Sequence, residues 1–159
     1  MSDVTIRRAT EKDLDAIYEI NLVAWNEMSM RYLLEQKYGQ VFGPKPANVQ
    51  MAETVLRSCK SDLSRVFVAE IDGKVVGFAS YSIETERSVG TVGYNAVHPD
   101  YRGRGIGTAL QQRVKQAFRE EGMKFAHVST LAHDFPAQRV YEKMGFEEYC
   151  RSVHYAMRL

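Results

Sequence analysis

The chain has 159 residues, 45% of them apolar and 26% charged, which suits a single globular domain, predicted here for residues 1–159, with a sizeable core. A formal net charge of +1 excludes nucleic-acid binding through bulk positive charge, and no apolar run approaches the ~20 residues a membrane span needs. Cys59 and Cys150 lie far apart without CxxC or Cys/His spacing, so no metal site is expected and a disulfide is disfavoured. The segment Met1 to Thr5 lacks a basic stretch followed by an apolar run. The expectation is therefore a cytoplasmic protein without a secretory leader.

Val4, Ile6 and Ala9 mark a short first strand. Thr10 ahead of Glu11 and Asp13 reads as a helix start, a hydroxyl cap followed by acids in the positive first turn. Leu14, Ile17 and Ile20 then recur at helical spacing. From Leu22 to Phe42 the chain is rich in aromatics and methionines, including Trp25, Met28, Met30, Tyr32 and Tyr38. That stretch either lines an apolar pocket or forms core and dimer surface. Pro44 and Pro46 end it, and a second helix is predicted from Ala47 to Lys60.

The period then drops to two. Arg65 to Ile71 reads as a strand, Asp72-Gly73 as a tight turn and Lys74 to Glu84 as the returning strand. Val89 to His98 is a further strand, stopped by Pro99. An amphipathic helix follows, with Ile106, Leu110, Val114, Ala117 and Phe118 on its buried face, Gln111 and the basic residues elsewhere, and Gly122 as its end. Phe125 to Leu131 is predicted as a strand, Pro136 opens a short helix that ends before Gly145, and residues 147–159 supply one or two last strands. The order β-α-α-β-β-β-α-β-α-β(β) describes a mixed α/β domain.

The chemistry concentrates where a strand ends, a glycine-rich turn follows and a helix begins at once: Val97-His98-Pro99-Asp100-Tyr101-Arg102-Gly103-Arg104-Gly105-Ile106-Gly107-Thr108. Free amides at a helix N-terminus bind anions, and glycines let a phosphate approach because no Cβ intervenes. Between Pro99 and Arg119 stand five basic residues (Arg102, Arg104, Arg113, Lys115, Arg119) and one acidic (Asp100). A P-loop would need Gly-Lys-Ser/Thr where this chain has Gly107-Thr108-Ala109, and a dinucleotide fingerprint would need GxGxxG early in a βαβ unit.

Arg102-Gly103-Arg104-Gly105-Ile106-Gly107 resembles the Arg/Gln-x-x-Gly-x-Gly/Ala coenzyme A motif of the GNAT superfamily, and Ala137 to Phe146, with Tyr141-Glu142-Lys143-Met144-Gly145-Phe146, is similar to that family's second signature. The resemblance implies a GNAT-type fold and acetyl-CoA-dependent N-acetylation of a small-molecule or peptide amine by direct attack in a ternary complex. The alternative is a catalytically silent acyl-CoA sensor. No metal, nucleic acid or membrane is implied, and a homodimer is a candidate assembly.

By the same resemblance, Asn95, Ala96 and Val97 pair with the pantetheine arm, and the Val97 amide also faces the developing oxyanion. The backbone of Arg102, Gly103, Arg104, Gly105, Ile106, Gly107 and Thr108 holds the pyrophosphate. Asp134 stands where the family often has a pantetheine-contacting Asn. An ionised carboxylate cannot donate a hydrogen bond, so capping of the last helix is the favoured role there. Tyr141 matches the family's general acid. A phenol is protonated at neutral pH and can donate to a leaving thiolate, whereas a purely structural tyrosine would pack against Phe146. Where family members carry a base on the strand before the motif, this chain has Thr91, Gly93 and Asn95. Glu84, His133 or a water stand as alternatives.

Overall fold

The computed structural model describes residues 4–25, 29–40 and 42–159; Met28, singled out above, lies outside them. Strand β1 (Thr5–Arg8) leads into α1 (Leu14–Ala24), α2 (Met30–Tyr38) and α3 (Ala47–Ser61), one helix more than the sequence suggested. Strands β2 (Val66–Ile71), β3 (Lys74–Glu84) and β4 (Val89–Val97) follow, then α4 (Ile106–Glu120), β5 (Phe125–His127) and α5 (Phe135–Lys143). The five strands lie in the order β1-β2-β3-β4-β5, antiparallel except for the parallel β4–β5 pair.

Asp72 and Gly73 turn β2 into β3 with φ of 50° and 77°, the positive pair that a two-residue hairpin of matching twist requires. The sheet is covered on both faces. Phe67, Ala69, Tyr81 and Val92 meet Ile106, Leu110, Val114 and Phe118 of α4 on one side. Val66, Val68 and Phe78 meet Ile17, Ile20, Val55 and Cys59 of α1 and α3 on the other. Burial of such side chains stabilises by about 1.5–3 kcal/mol each.

Four details depart from the sequence reading. Gln111, expected on the outer face of α4, is buried. It precedes the polar Gln112 and Arg113, but its own position on the wheel falls beside Leu110 and Val114, inside the contact area. β5 ends at His127 rather than Leu131, and residues 147–159 form no strand. Their far end bonds to Tyr38 of α2 rather than to a strand. In the aromatic segment, α2 buries none of its residues, and Met30 and Leu33 are half exposed, so this helix is surface rather than core. Cys59 is buried and Cys150 exposed, both free.

The entry into α1 rests on an ionic knot. Arg7 donates to both carboxylate oxygens of Asp13 at 2.8 Å and to Glu70 at 2.7 Å, while the Thr10 amide donates to Asp13 at 2.8 Å. The Arg7 hydrogen bonds hold the Asp13 carboxyl down at about 2, against the cost of its burial. Because this pKa is depressed on folding, its contribution is complete above the unfolded value near ~4 and disappears as pH falls toward about 2. Two units correspond to roughly 2–3 kcal/mol. Asp13→Asn should therefore cost about that much at neutral pH and almost nothing near pH ~2 in chemical denaturation. Equal losses at both pH values would show that the knot is not ionic.

Candidate active site

β4 is the spine of the site. Its pairing with β5 covers only Val89–Thr91 against Phe125–His127, so from Val92 to Val97 the β5-facing edge of β4 has no strand beside it. The two strands form a fork whose last rung is Thr91 and His127, with their side chains bonded at 2.9 Å.

A bulge decides which way the open part of β4 faces. Tyr81 pairs with Val92 and Ala79 with Asn95, so the register slips by one residue between them. Val92 and Val97 pack with α4, whereas Tyr94 and Ala96 pack with the α1–α3 side, Tyr94 meeting Trp25 edge-on at 6.3 Å. Without the slip, strict alternation would turn Asn95 away from the face of Val92. With it, the Asn95 amide reaches across to Tyr141 of α5, donating to the phenolic oxygen at 3.3 Å while also donating to the Gly93 carbonyl at 3.0 Å. Gly93 is required at the slip: a Cβ there would stand 2.5 Å from Ser80 Oγ. A glycine inside a strand pattern is the sequence signal for a bulge, and it was the available clue to this contact.

Tyr141 is 8% exposed and meets Phe146 edge-on at 6.0 Å. Burial raises its pKa above the ordinary tyrosine range, with the Asn95 hydrogen bond opposing. The phenol is thus protonated at neutral pH. Because it accepts from Asn95, its own O–H remains available to donate.

The glycine turn closes the lower end of the site. Gly103 and Gly105 adopt φ of 76° and 78°, a conformation that costs most residues 1–2 kcal/mol. Gly105 is the N-cap of α4 and provides no side-chain cap. The amides of Ile106, Gly107 and Thr108 therefore start the helix without an intrahelical acceptor. A Cβ at Gly103 or Gly105 would meet nothing within 4 Å, and one at Gly107 would only touch Val97 at 4.0 Å. Ile106, buried in the core, pins this open turn in place. Arg102 does not point outward as a free cation: its guanidinium donates to the carbonyls of Val97 at 3.2 Å and Ala24 at 3.0 Å, tying the turn to β4 and α1. Arg104 lies over the Tyr101 ring, 5.1 Å from its centroid.

The remaining candidates are placed as follows. Ala96 and Val97 lie on the open stretch of β4. Asp134 caps α5, accepting from the Ala137 amide at 3.2 Å and the Thr130 hydroxyl at 3.1 Å. Glu84 pairs with Arg87 and sits opposite Val89. That is six residues along β4 from Asn95, roughly 20 Å away, too far to serve there as a base. His133 is exposed in the turn before α5. No motif singled out His127, which the fork places beside the open edge.

The description "Acetyltransferase (GNAT) family" fits residues 14–146 of the chain. The chain belongs to the GNAT family of acetyltransferases. Among curated proteins, this GNAT chain is 28% identical over 149 residues to an uncharacterized N-acetyltransferase of Methanocaldococcus jannaschii; the match covers 91% of this chain, which spans only 61% of that relative's length. Among solved structures it resembles the ribosomal-protein-S18-alanine N-acetyltransferase of Escherichia coli, with a TM-score of 0.66, 23% identity, and coverage of 93% of this chain and 80% of the other. It also resembles an aminoglycoside N-acetyltransferase solved in complex with CoA, with a TM-score of 0.64, 22% identity, and coverage of 100% and 97%. The shared fold is the acetyltransferase fold expected from the two motifs.

Proposed function

We propose that this GNAT protein moves an acetyl group from acetyl-CoA to an amine of a small molecule or peptide by direct attack in a ternary complex. The observation that carries this reading is the buried Tyr141 hydroxyl, held by Asn95 on the face of β4 whose edge is open. An extended pantetheine arm can lie along that edge at Asn95, Ala96 and Val97, as an added strand would. The first-turn amides of α4 and the bare turn from Arg102 to Thr108 suit the pyrophosphate. Tyr141 then stands beside the thioester and protonates the thiolate as it leaves. Asp134, already used as a cap, does not hold the cofactor by donating a hydrogen bond. The named relatives act on a protein alanine and an aminoglycoside, and both acceptors are amines.

The test measures acetyl-CoA-dependent release of free thiol against a library of peptides, polyamines and aminoglycosides. Amine-dependent release, with the acetyl group recovered on the acceptor, is expected. Tight coenzyme A binding without turnover on any amine would favour a sensor, and absence of coenzyme A binding would overturn the reading altogether.

A further inference from the structure

Tyr141 stands on a helix whose far end is not wedged in place by apolar packing. Between α4 and the end of α5 lies an open groove of about 410 Å³, lined by Gln112, Lys115, Gln116 and Arg119 of α4 and by Lys143 and Met144. Interlocked apolar side chains ordinarily fix one helix against another, but this lining is mostly polar. The half-buried Lys115 crosses the groove and donates to the Met144 carbonyl at 2.8 Å. The same ammonium stands 4.0 Å from where a Cβ on Gly145 would be, so it lies against the whole end of the helix.

Met144 is the C-cap of α5, where helix carbonyls run out of intrahelical partners and a cation meets the negative end of the dipole. From there the path to Tyr141 is one turn of backbone: the amides of Met144 and Phe146 both donate to the Tyr141 carbonyl at 3.0 Å. At the other end of the residue, Asn95 meets only the hydroxyl, at 3.3 Å. That contact orients the phenol but does not fix the backbone beneath it. We propose that Lys115 is a positioning residue for Tyr141: its hold on the C-cap of α5 sets where the phenol stands beside the open edge of β4. The proposal rests on Tyr141 acting as the general acid. A displacement of about 1 Å at a reacting group costs on the order of 10²-fold in rate. The pyrophosphate turn should not feel the change, because Gly105 lies ten residues back along α4, about 15 Å away at the helical rise.

Lys115→Met keeps an unbranched stem and removes the donor. Amine-dependent thiol release from acetyl-CoA should fall by about 10–100-fold, with coenzyme A affinity by calorimetry and the circular dichroism spectrum unchanged. Lys115→Arg, which can still donate to the Met144 carbonyl, should recover most of the rate. Gln112→Met, in the same groove, should turn over like the parent. The deciding comparison is made on Tyr141→Phe, where Lys115→Met should slow turnover no further, because a residue that acts through the hydroxyl has nothing left to place. Equal losses with and without the Tyr141 hydroxyl would mean a merely structural role and overturn the proposal, as would a parent-like rate for Lys115→Met. In protein labelled with fluorotyrosine, the fluorine resonance that is missing from Tyr141→Phe should shift in Lys115→Met and return in Lys115→Arg; a stationary resonance would also overturn it. A parent-like rate for Tyr141→Phe would instead sink the general-acid reading, and the positioning role with it.

Discussion

Replacing Tyr141 by phenylalanine should lower turnover by about 10²–10⁴-fold, the range a positioned general acid supplies, while coenzyme A still binds. The substitution separates the two jobs of this side chain. The ring, packed against Phe146 and almost fully buried, is retained, so the core is not opened. Asn95 loses one acceptor but keeps its bond to the Gly93 carbonyl, so no buried donor is stranded. The melting temperature should therefore move little. What disappears is a proton donor that matters when charge builds on the leaving sulfur, an effect felt in the transition state rather than in cofactor affinity. A parent-like rate, measured where chemistry limits turnover, would remove Tyr141 from the mechanism and leave water as the donor.

Gly105→Asp should weaken coenzyme A binding by at least about 100-fold without unfolding α4. Hydrogen bonds to charged groups contribute about 1.5–3 kcal/mol each, so losing even two first-turn amides costs two or more factors of ten. Unfolding is not expected, because aspartate complements the helix dipole and tolerates the left-handed backbone of Gly105, with φ of 78°, better than most residues. The new carboxylate would add bulk and negative charge to the mouth of the turn and repel the pyrophosphate. Calorimetry with coenzyme A, alongside thermal melts, reads both effects. Arg104→Glu should weaken binding less, and its effect should shrink in high salt because the group is exposed. Unchanged affinity for Gly105→Asp would mean that the turn is ordinary surface.

Much of this molecule is legible from local rules. The Asp72-Gly73 hairpin, the Gly122 end of α4, the Asp134-Pro136 start of α5 and the bare helix start at Gly105 each depend on backbone dihedrals and capping groups within a few residues. Those preferences are carried by residue type alone. The two motifs supplied the family in the same way, because the glycine turn and the helix it opens are contiguous in sequence. The environment of the site was decided elsewhere. Asn95 meets Tyr141 across 46 positions of sequence, and only because a one-residue slip against β3 turns it to the α5 side of the sheet. Burial of Gln111 depends on how far the sheet extends under α4, and Arg102 is drawn from solvent by carbonyls of β4 and α1. The tail shows the same division most plainly. Its alternation specifies a strand, but a strand is stable only beside a partner, and which edge lies within reach is a property of the folded sheet and not of residues 147–159.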